Sequence, residues 1–179
     1  MKKLCIAFIF LFITTQNFAQ NKRKLSGYFL VEFNSTIYDR TIGNNPWGAG
    51  LGLQAFYNTH SKFKPTLEFT SDLYLESDKL LKLDPNGSIP ATDYGFKSMT
   101  NIFIGESFHP KSSIYFSLLG GPSFIGRYTY LGIKPSFGFY FSKSQKIMGK
   151  FSYVNIFNRY RTTKEDFGSL SLAVGIKLF

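Results

Sequence analysis

From Leu170 to Leu178 the chain reads L-S-L-A-V-G-I-K-L, apolar and small or polar residues in strict turn, with Phe179 after it. In an extended strand successive side chains point to opposite faces. Leu170, Leu172, Val174, Ile176 and Leu178 therefore share one face, and Ser171, Ala173, Gly175 and Lys177 share the other. No long stretch with apolar residues at the three-and-four spacing of a helix competes with this pattern. Phe and Tyr, which favour strands, number 21 and 11.

Seven further segments alternate in the same way, so the period predicts eight strands. They are Gly27 to Tyr38, Trp47 to Tyr57, Phe63 to Leu75, Asp93 to Glu106, Ser113 to Phe124, Tyr128 to Phe141, Ile147 to Asn158 and Phe167 to Phe179. In the second, Ala49, Leu51, Leu53 and Ala55 oppose Gly48, Gly50, Gly52 and Gln54. In the sixth, Leu131, Ile133, Phe137, Phe139 and Phe141 oppose Gly132, Lys134, Ser136, Gly138 and Tyr140. The fifth is the least clean, because Tyr115 and Leu119 stand opposite Ile114, Phe116 and Leu118.

The first residues are set apart from this fold. Lys2 and Lys3 precede the apolar run Leu4 to Ile13, and small Ala19 follows a polar stretch, the layout of a secretory leader. The run is too short for a helix that crosses a bilayer, which takes about 20 residues. We expect residues 1–20 to be a cleaved signal peptide and 21–179 to be one domain. Cys5 is the only cysteine, so the exported part has no thiolate for catalysis or metal binding. Of the 21 Lys and Arg residues two lie in the leader, which leaves 19 against 11 acids, a net of +8. The basic residues are spread along the chain and no helix gathers them, so a nucleic acid is not an expected partner.

Alternation alone does not say which solvent wets the oily face. A water-soluble barrel buries it, and a membrane barrel turns it outward. Three features favour the second. The opposite face is rich in Gly, Ser and Thr, which fit the narrow interior of eight strands. Aromatic residues collect at strand ends, where interfacial girdles belong: Tyr38, Trp47, Tyr57, Phe63, Phe108, Tyr128, Tyr140, Phe141, Tyr160 and Phe167. Most segments reach the roughly 9–11 residues that a tilted strand needs to cross a bilayer. The connections follow the same logic. Asn58 to Lys62, Phe108 to Ser112 and Ser142 to Lys146 are short, as periplasmic turns are, whereas Leu75 to Thr92 and Arg159 to Asp166 are longer. The short connection Ile125 to Arg127 breaks the series.

With its leader ending F-A-Q (Phe18 to Gln20) and its close on G-I-K-L-F (Gly175 to Phe179), the chain resembles the small outer-membrane β-barrel proteins of Bacteroidetes type, with a porin-like domain. The resemblance implies an all-β, eight-stranded, antiparallel, up-and-down transmembrane β-barrel in the cell outer membrane. It also implies insertion by the outer-membrane assembly machinery and a barrel without a wide pore. Phe179 departs from the pattern, being out of phase with Leu178, Ile176 and Val174.

The expected lumen set is Glu32, Glu68 and Asp72 with Lys97, Lys134 and Lys150, read as an ion-paired plug, because inward charges are costly unless paired. Gly48-x-Gly50-x-Gly52 has no helix after it to hold a phosphate, so inward packing explains it better than a dinucleotide site. His60 and His109 are expected in solvated turns, away from any Ser and acid at the outer leaflet and without a second His for a metal. No catalytic residue, cofactor or metal site is therefore expected. In the stretch from Ser77 to Ala91, the best candidate binding surface, Leu80, Leu81 and Leu83 are expected to pack back on the barrel rim, with contact to a partner protein or lipid as the alternative. Arg159, Arg161 and Lys164 are candidate contacts for lipopolysaccharide phosphates. Pro135, mid-strand, demands a bulge or a local break. The leading expectation is a non-enzymatic barrel with a structural, adhesive or accessory role. A soluble lipocalin-like barrel for a small apolar ligand and an outer-membrane lipid-modifying enzyme are the alternatives.

Overall fold

The two-residue period of the sequence is the period of the fold. In a computed structural model, which describes residues 24–38, 47–77, 94–158 and 166–179 without the side chains of 38, 75–77 and 94–97, eight strands close on themselves. They are β1 (Leu25–Tyr38), β2 (Trp47–Tyr57), β3 (Phe63–Ser77), β4 (Tyr94–Lys111), β5 (Ile114–Ile125), β6 (Tyr128–Tyr140), β7 (Ile147–Ile156) and β8 (Phe167–Lys177). Each strand pairs antiparallel with the next, and β8 returns to β1 through Val31↔Val174 and Phe33↔Leu172. Closure leaves no unpaired edge, so every strand has a hydrogen-bonding partner on both sides.

The oily face is outside. Val31, Leu51, Leu53, Leu67, Leu73, Ile104, Leu118, Leu131, Phe151, Leu172, Val174 and Ile176 are all exposed. Leu172 and Val174 do not meet Ile133 in a dry interior, which is what a lipocalin-like barrel would require. Aromatic pairs lie on this outer surface where partner strands bring them together: Phe33 stacks on Trp47 at 5.1 Å, and Phe63 lies 4.9 Å from Phe108, its register partner.

Three sequence expectations are corrected and one, at Pro135, holds. β4 runs on through His109 and Pro110 to Lys111, so the β4–β5 connection is Ser112–Ser113 alone; a register shift between Phe108 and Lys111 absorbs the proline. The local break expected at Pro135 is present: the β6–β7 pairing stops after Ile133↔Asn155 and resumes in the same register at Ser136↔Ser152. Tyr140 and Phe167 belong to the lumen, 8% and 1% exposed, and not to an interfacial girdle. Phe179 is not on the far side from Leu178. The strand ends at Lys177, the Gly27 amide donates to the Phe179 carbonyl at 3.2 Å, and the Phe179 ring lies against Gly27 on the outer surface.

Gly27 has no side chain to meet that ring. Gly149 is covered in the same way by Phe139. An aromatic side chain over an outward glycine restores the apolar surface that the glycine lacks.

Candidate functional site

Inward positions fill the barrel in three layers, and the strand polarity fixes their order. The end carrying the chain termini and the β2–β3, β4–β5 and β6–β7 connections is called the turn end here. The other is the loop end.

Nearest the turn end is an aromatic layer. Tyr28, Phe56, Tyr115 and Tyr140 come from β1, β2, β5 and β6, with ring centroids 5.2 to 6.0 Å apart. Gly138 makes room for the Tyr115 ring, which would overlap any β-carbon at that position. His109 belongs to this layer. It stacks on Tyr115 at 5.3 Å and meets Phe56 edge-on at 5.4 Å, and it is 9% exposed. The expectation of a solvated turn histidine fails for His109, because β4 is longer than its proline suggested; His60 is exposed as expected. The Tyr115 hydroxyl donates to Gln54 Oε1 at 3.4 Å, and the Tyr28 hydroxyl to the Gln145 carbonyl at 3.1 Å.

The middle layer is ionic. Lys134 Nζ lies 3.2 Å from Glu32 and 2.6 Å from Glu68. Lys150 Nζ lies 3.6 Å from Glu32 and 2.7 Å from Glu68. The four groups form a closed, neutral square from β6, β7, β1 and β3, and all are at most 2% exposed. The Ser171 hydroxyl donates to Glu32 at 3.1 Å. Charges so deep are tolerated only when each has an opposite partner and further hydrogen bonds.

Asp72 lies four residues beyond Glu68 on β3, toward the loop end, and shares its ladder partner Gly50 with Glu32. Asn34 Nδ2 donates to it at 2.8 Å, Asn101 Nδ2 at 3.1 Å and the Thr70 hydroxyl at 3.4 Å. Gly50, its register partner on β2, leaves the space that the carboxylate occupies. An apolar layer follows, built from Tyr74, Met99, Phe103, Leu119, Val154, Ile156 and Phe167. Tyr74 meets Phe167 edge-on at 5.3 Å and donates its hydroxyl to Ser169 at 3.2 Å.

Glu32, Glu68, Asp72, Lys134 and Lys150 thus come together inside the barrel. Lys97 is in β4 at the rung of Tyr74, and its side chain lies outside the described residues. Leu80, Leu81, Leu83, Arg159, Arg161 and Lys164 also lie outside them. Sequence reasoning missed the aromatic layer as a unit. Its signal was present, since Tyr28, Phe56, Tyr115 and Tyr140 all fall on the polar side of the alternation.

This polar inside and oily outside decide the architecture. The chain has the fold of a transmembrane β-barrel. No protein-family profile and no curated protein matches its sequence. Solved structures do. It is similar to the crystal structure of Ail, the attachment invasion locus protein of Yersinia pestis, with a TM-score of 0.56 at 13% identity over 86% of this chain and 97% of that one. The structure of Ail in a phospholipid bilayer nanodisc gives 0.55 at 11% identity over 86% and 99%. A structure from the de novo design of transmembrane β-barrels gives 0.50 at 7% identity over 86% and 95%. At these identities the likeness is one of fold.

Proposed function

We propose that this chain is an integral protein of a bacterial outer membrane, without enzymatic activity, whose barrel is a filled anchor and whose role is exercised from its loop end. That role is structural, adhesive or accessory. The observation that carries this is the inverted partition of side chains: a belt of exposed Leu, Ile, Val and Phe surrounds a lumen holding five buried charges. Water would penalise that belt, whereas hydrocarbon does not. The anchor is filled because aromatic, ionic and apolar layers succeed one another along it. A lumen of this kind supports neither a wide pore nor a cavity for a small apolar ligand.

In this account residues 1–20 are removed on export and 21–179 form the barrel, inserted by the outer-membrane assembly machinery. The strand ends that flank 39–46, 78–93 and 157–166 are then on the cell-exterior side. Leu80, Leu81 and Leu83 are the proposed surface for a protein partner, and Arg159, Arg161 and Lys164 the proposed contacts for lipopolysaccharide phosphates. One of the similar proteins, Ail, has been solved with the heparin analogue sucrose octasulfate, which makes a polyanion at the loop end a reasonable probe. Replacing Arg159, Arg161 and Lys164 with Ser is expected to reduce lipopolysaccharide co-purification; unchanged co-purification removes that contact from the proposal.

Membrane fractionation with gel mobility in detergent, heated and unheated, tests the anchor. A folded membrane barrel pellets with the outer membrane and migrates differently before and after boiling. A soluble protein with one mobility overturns the proposal. Planar-bilayer recording tests the filling, and a steady conductance lost on replacing Lys134 overturns the plug. Release of an acyl chain from labelled lipopolysaccharide would overturn the non-enzymatic part.

A further inference from the structure

Among the described residues, the charges near the two ends of the barrel are sorted by end. Lys24 precedes β1, and Lys62 and Lys64 flank Phe63 at the start of β3. Lys111 closes β4, Lys143 and Lys146 lie in the β6–β7 connection, and Lys177 closes β8. All of these are at the turn end, and Lys24, Lys62, Lys111, Lys143 and Lys146 are exposed. Among the described residues the acid side chain nearest this end is Glu106, at the rung of Pro65. Among the described side chains, the loop end has Arg127 and Asp166, one of each sign.

Height matters as much as sign. Lys24, Lys62 and Lys146 lie just before β1, β3 and β7, each next to an exposed apolar residue at the margin of the outer belt, Leu25, Phe63 and Ile147. Lys64 and Lys177 alternate to the inner face, and the Lys64 ammonium donates to Asn58 Oδ1 at 3.0 Å. A lysine so placed lays its methylene stem along the hydrocarbon edge and lifts its ammonium to the level of the lipid phosphates. The exposed basic residues also go round the barrel, at the starts of β1 and β3, the end of β4 and the β6–β7 connection. A soluble acidic partner would be met by a one-sided patch, whereas an annulus of lipid is met by a ring.

We propose that the turn end is a phosphate-binding collar that recruits anionic glycerophospholipid headgroups from the leaflet in which it lies. The collar rests on the membrane-barrel function proposed above. Cationic side chains at such a surface attract acidic lipid within a Debye length, so the selectivity falls as salt rises.

The test uses the refolded full barrel in vesicles of phosphatidylcholine with spin-labelled phosphatidylglycerol or spin-labelled phosphatidylcholine, and reads the motionally restricted lipid by electron spin resonance. Restricted lipid of either kind reports that the barrel is in the bilayer. Its absence sinks the membrane reading itself. Given that signal, phosphatidylglycerol is expected to associate about five-fold more strongly than phosphatidylcholine at low salt, the effect of roughly one lysine per lipid site. Lys24, Lys62, Lys111, Lys143 and Lys146 changed together to Gln should bring the ratio close to one and keep the heat-shifted gel band. Changing Arg159, Arg161 and Lys164 to Ser, at the other end, should leave the ratio intact. Equal association of the two lipids with the unaltered barrel overturns the collar. So does selectivity lost from the loop-end variant instead. Lysine-dependent binding of soluble polyglutamate without lipid selectivity overturns it too, in favour of an acidic polymer.

Discussion

Lys150→Met isolates the energetics of the ionic layer. The side chain is similar in length, but the ammonium that sits 2.7 Å from Glu68 and 3.6 Å from Glu32 is gone. Lys134 then faces Glu32 and Glu68 alone, with Asp72 also buried nearby, and a fully buried carboxylate loses half of its ion pairing. Removing one partner of a buried pair costs about 3–5 kcal/mol, because the remaining charge is neither solvated nor compensated. The lower figure is about a hundredfold in the folding equilibrium. Adding Glu68→Gln to Lys150→Met removes the stranded charge and leaves Lys134 with Glu32 at 3.2 Å. The double variant is therefore expected to be more stable than Lys150→Met alone, with a coupling of about 1–3 kcal/mol in the cycle. Urea titration of the refolded barrel in detergent measures this, with the heat-modifiable band as the folded fraction and the unfolding and refolding curves required to coincide. A Lys150→Met barrel within about 0.5 kcal/mol of the parent would refute the reasoning. Strictly additive single costs would refute it equally, since independent groups do not couple.

Three other changes probe the remaining layers. Leu172→Arg, mid-strand on the outer face, is expected to cost about 2–4 kcal/mol in lipid, whereas Leu178→Arg at the margin should cost about 0–1 kcal/mol; equal costs in a vesicle titration would mean that depth in a membrane is irrelevant. Gly138→Leu drives a side chain into the Tyr115 ring and should destabilise by about 1–3 kcal/mol, and Tyr115→Ala in the same chain should recover part of that loss, as thermal loss of the folded gel band will report. Phe179→Ala uncovers Gly27 and, because the ring is 38% exposed, should cost about 1 kcal/mol, well below the 3–5 kcal/mol of a fully buried Phe; a larger loss in the same urea assay would assign the ring a role beyond covering that glycine.

The strands were legible because a period of two survives any choice of solvent. Leu131 and Ile133 stand opposite Lys134 and Ser136 whichever face is wet, and the structure keeps every such assignment in β2 and β6. What resisted was local. His109 and Pro110 read as a turn, since proline donates no ladder bond, yet a register shift lets β4 pass through them. Pro135, by contrast, was legible as a local break, and the ladder omits two rungs there without changing register. Aromatic residues misled for another reason. A Tyr or Phe near a strand end suits an interface and a lumen alike, and only the parity of the strand separates Phe141, which is exposed, from Tyr140, which is enclosed. Partners were not legible at all from alternation: which lysine meets which glutamate depends on the closed circumference, a property of the sheet and of no single strand.

The two acids and two bases of the ionic square come from different halves of the chain. Glu32, Glu68 and Asp72 lie on β1 and β3, whereas Lys134 and Lys150 lie on β6 and β7. Among the described side chains, neither half neutralises these inward charges by itself. Two copies of the first half would bring like charges together, and so would two copies of the second, while first against second attracts. The nascent hairpins therefore carry an electrostatic label that favours their own ring over a mixed one with a neighbouring molecule, at the moment when unpaired edges are most exposed to a wrong match.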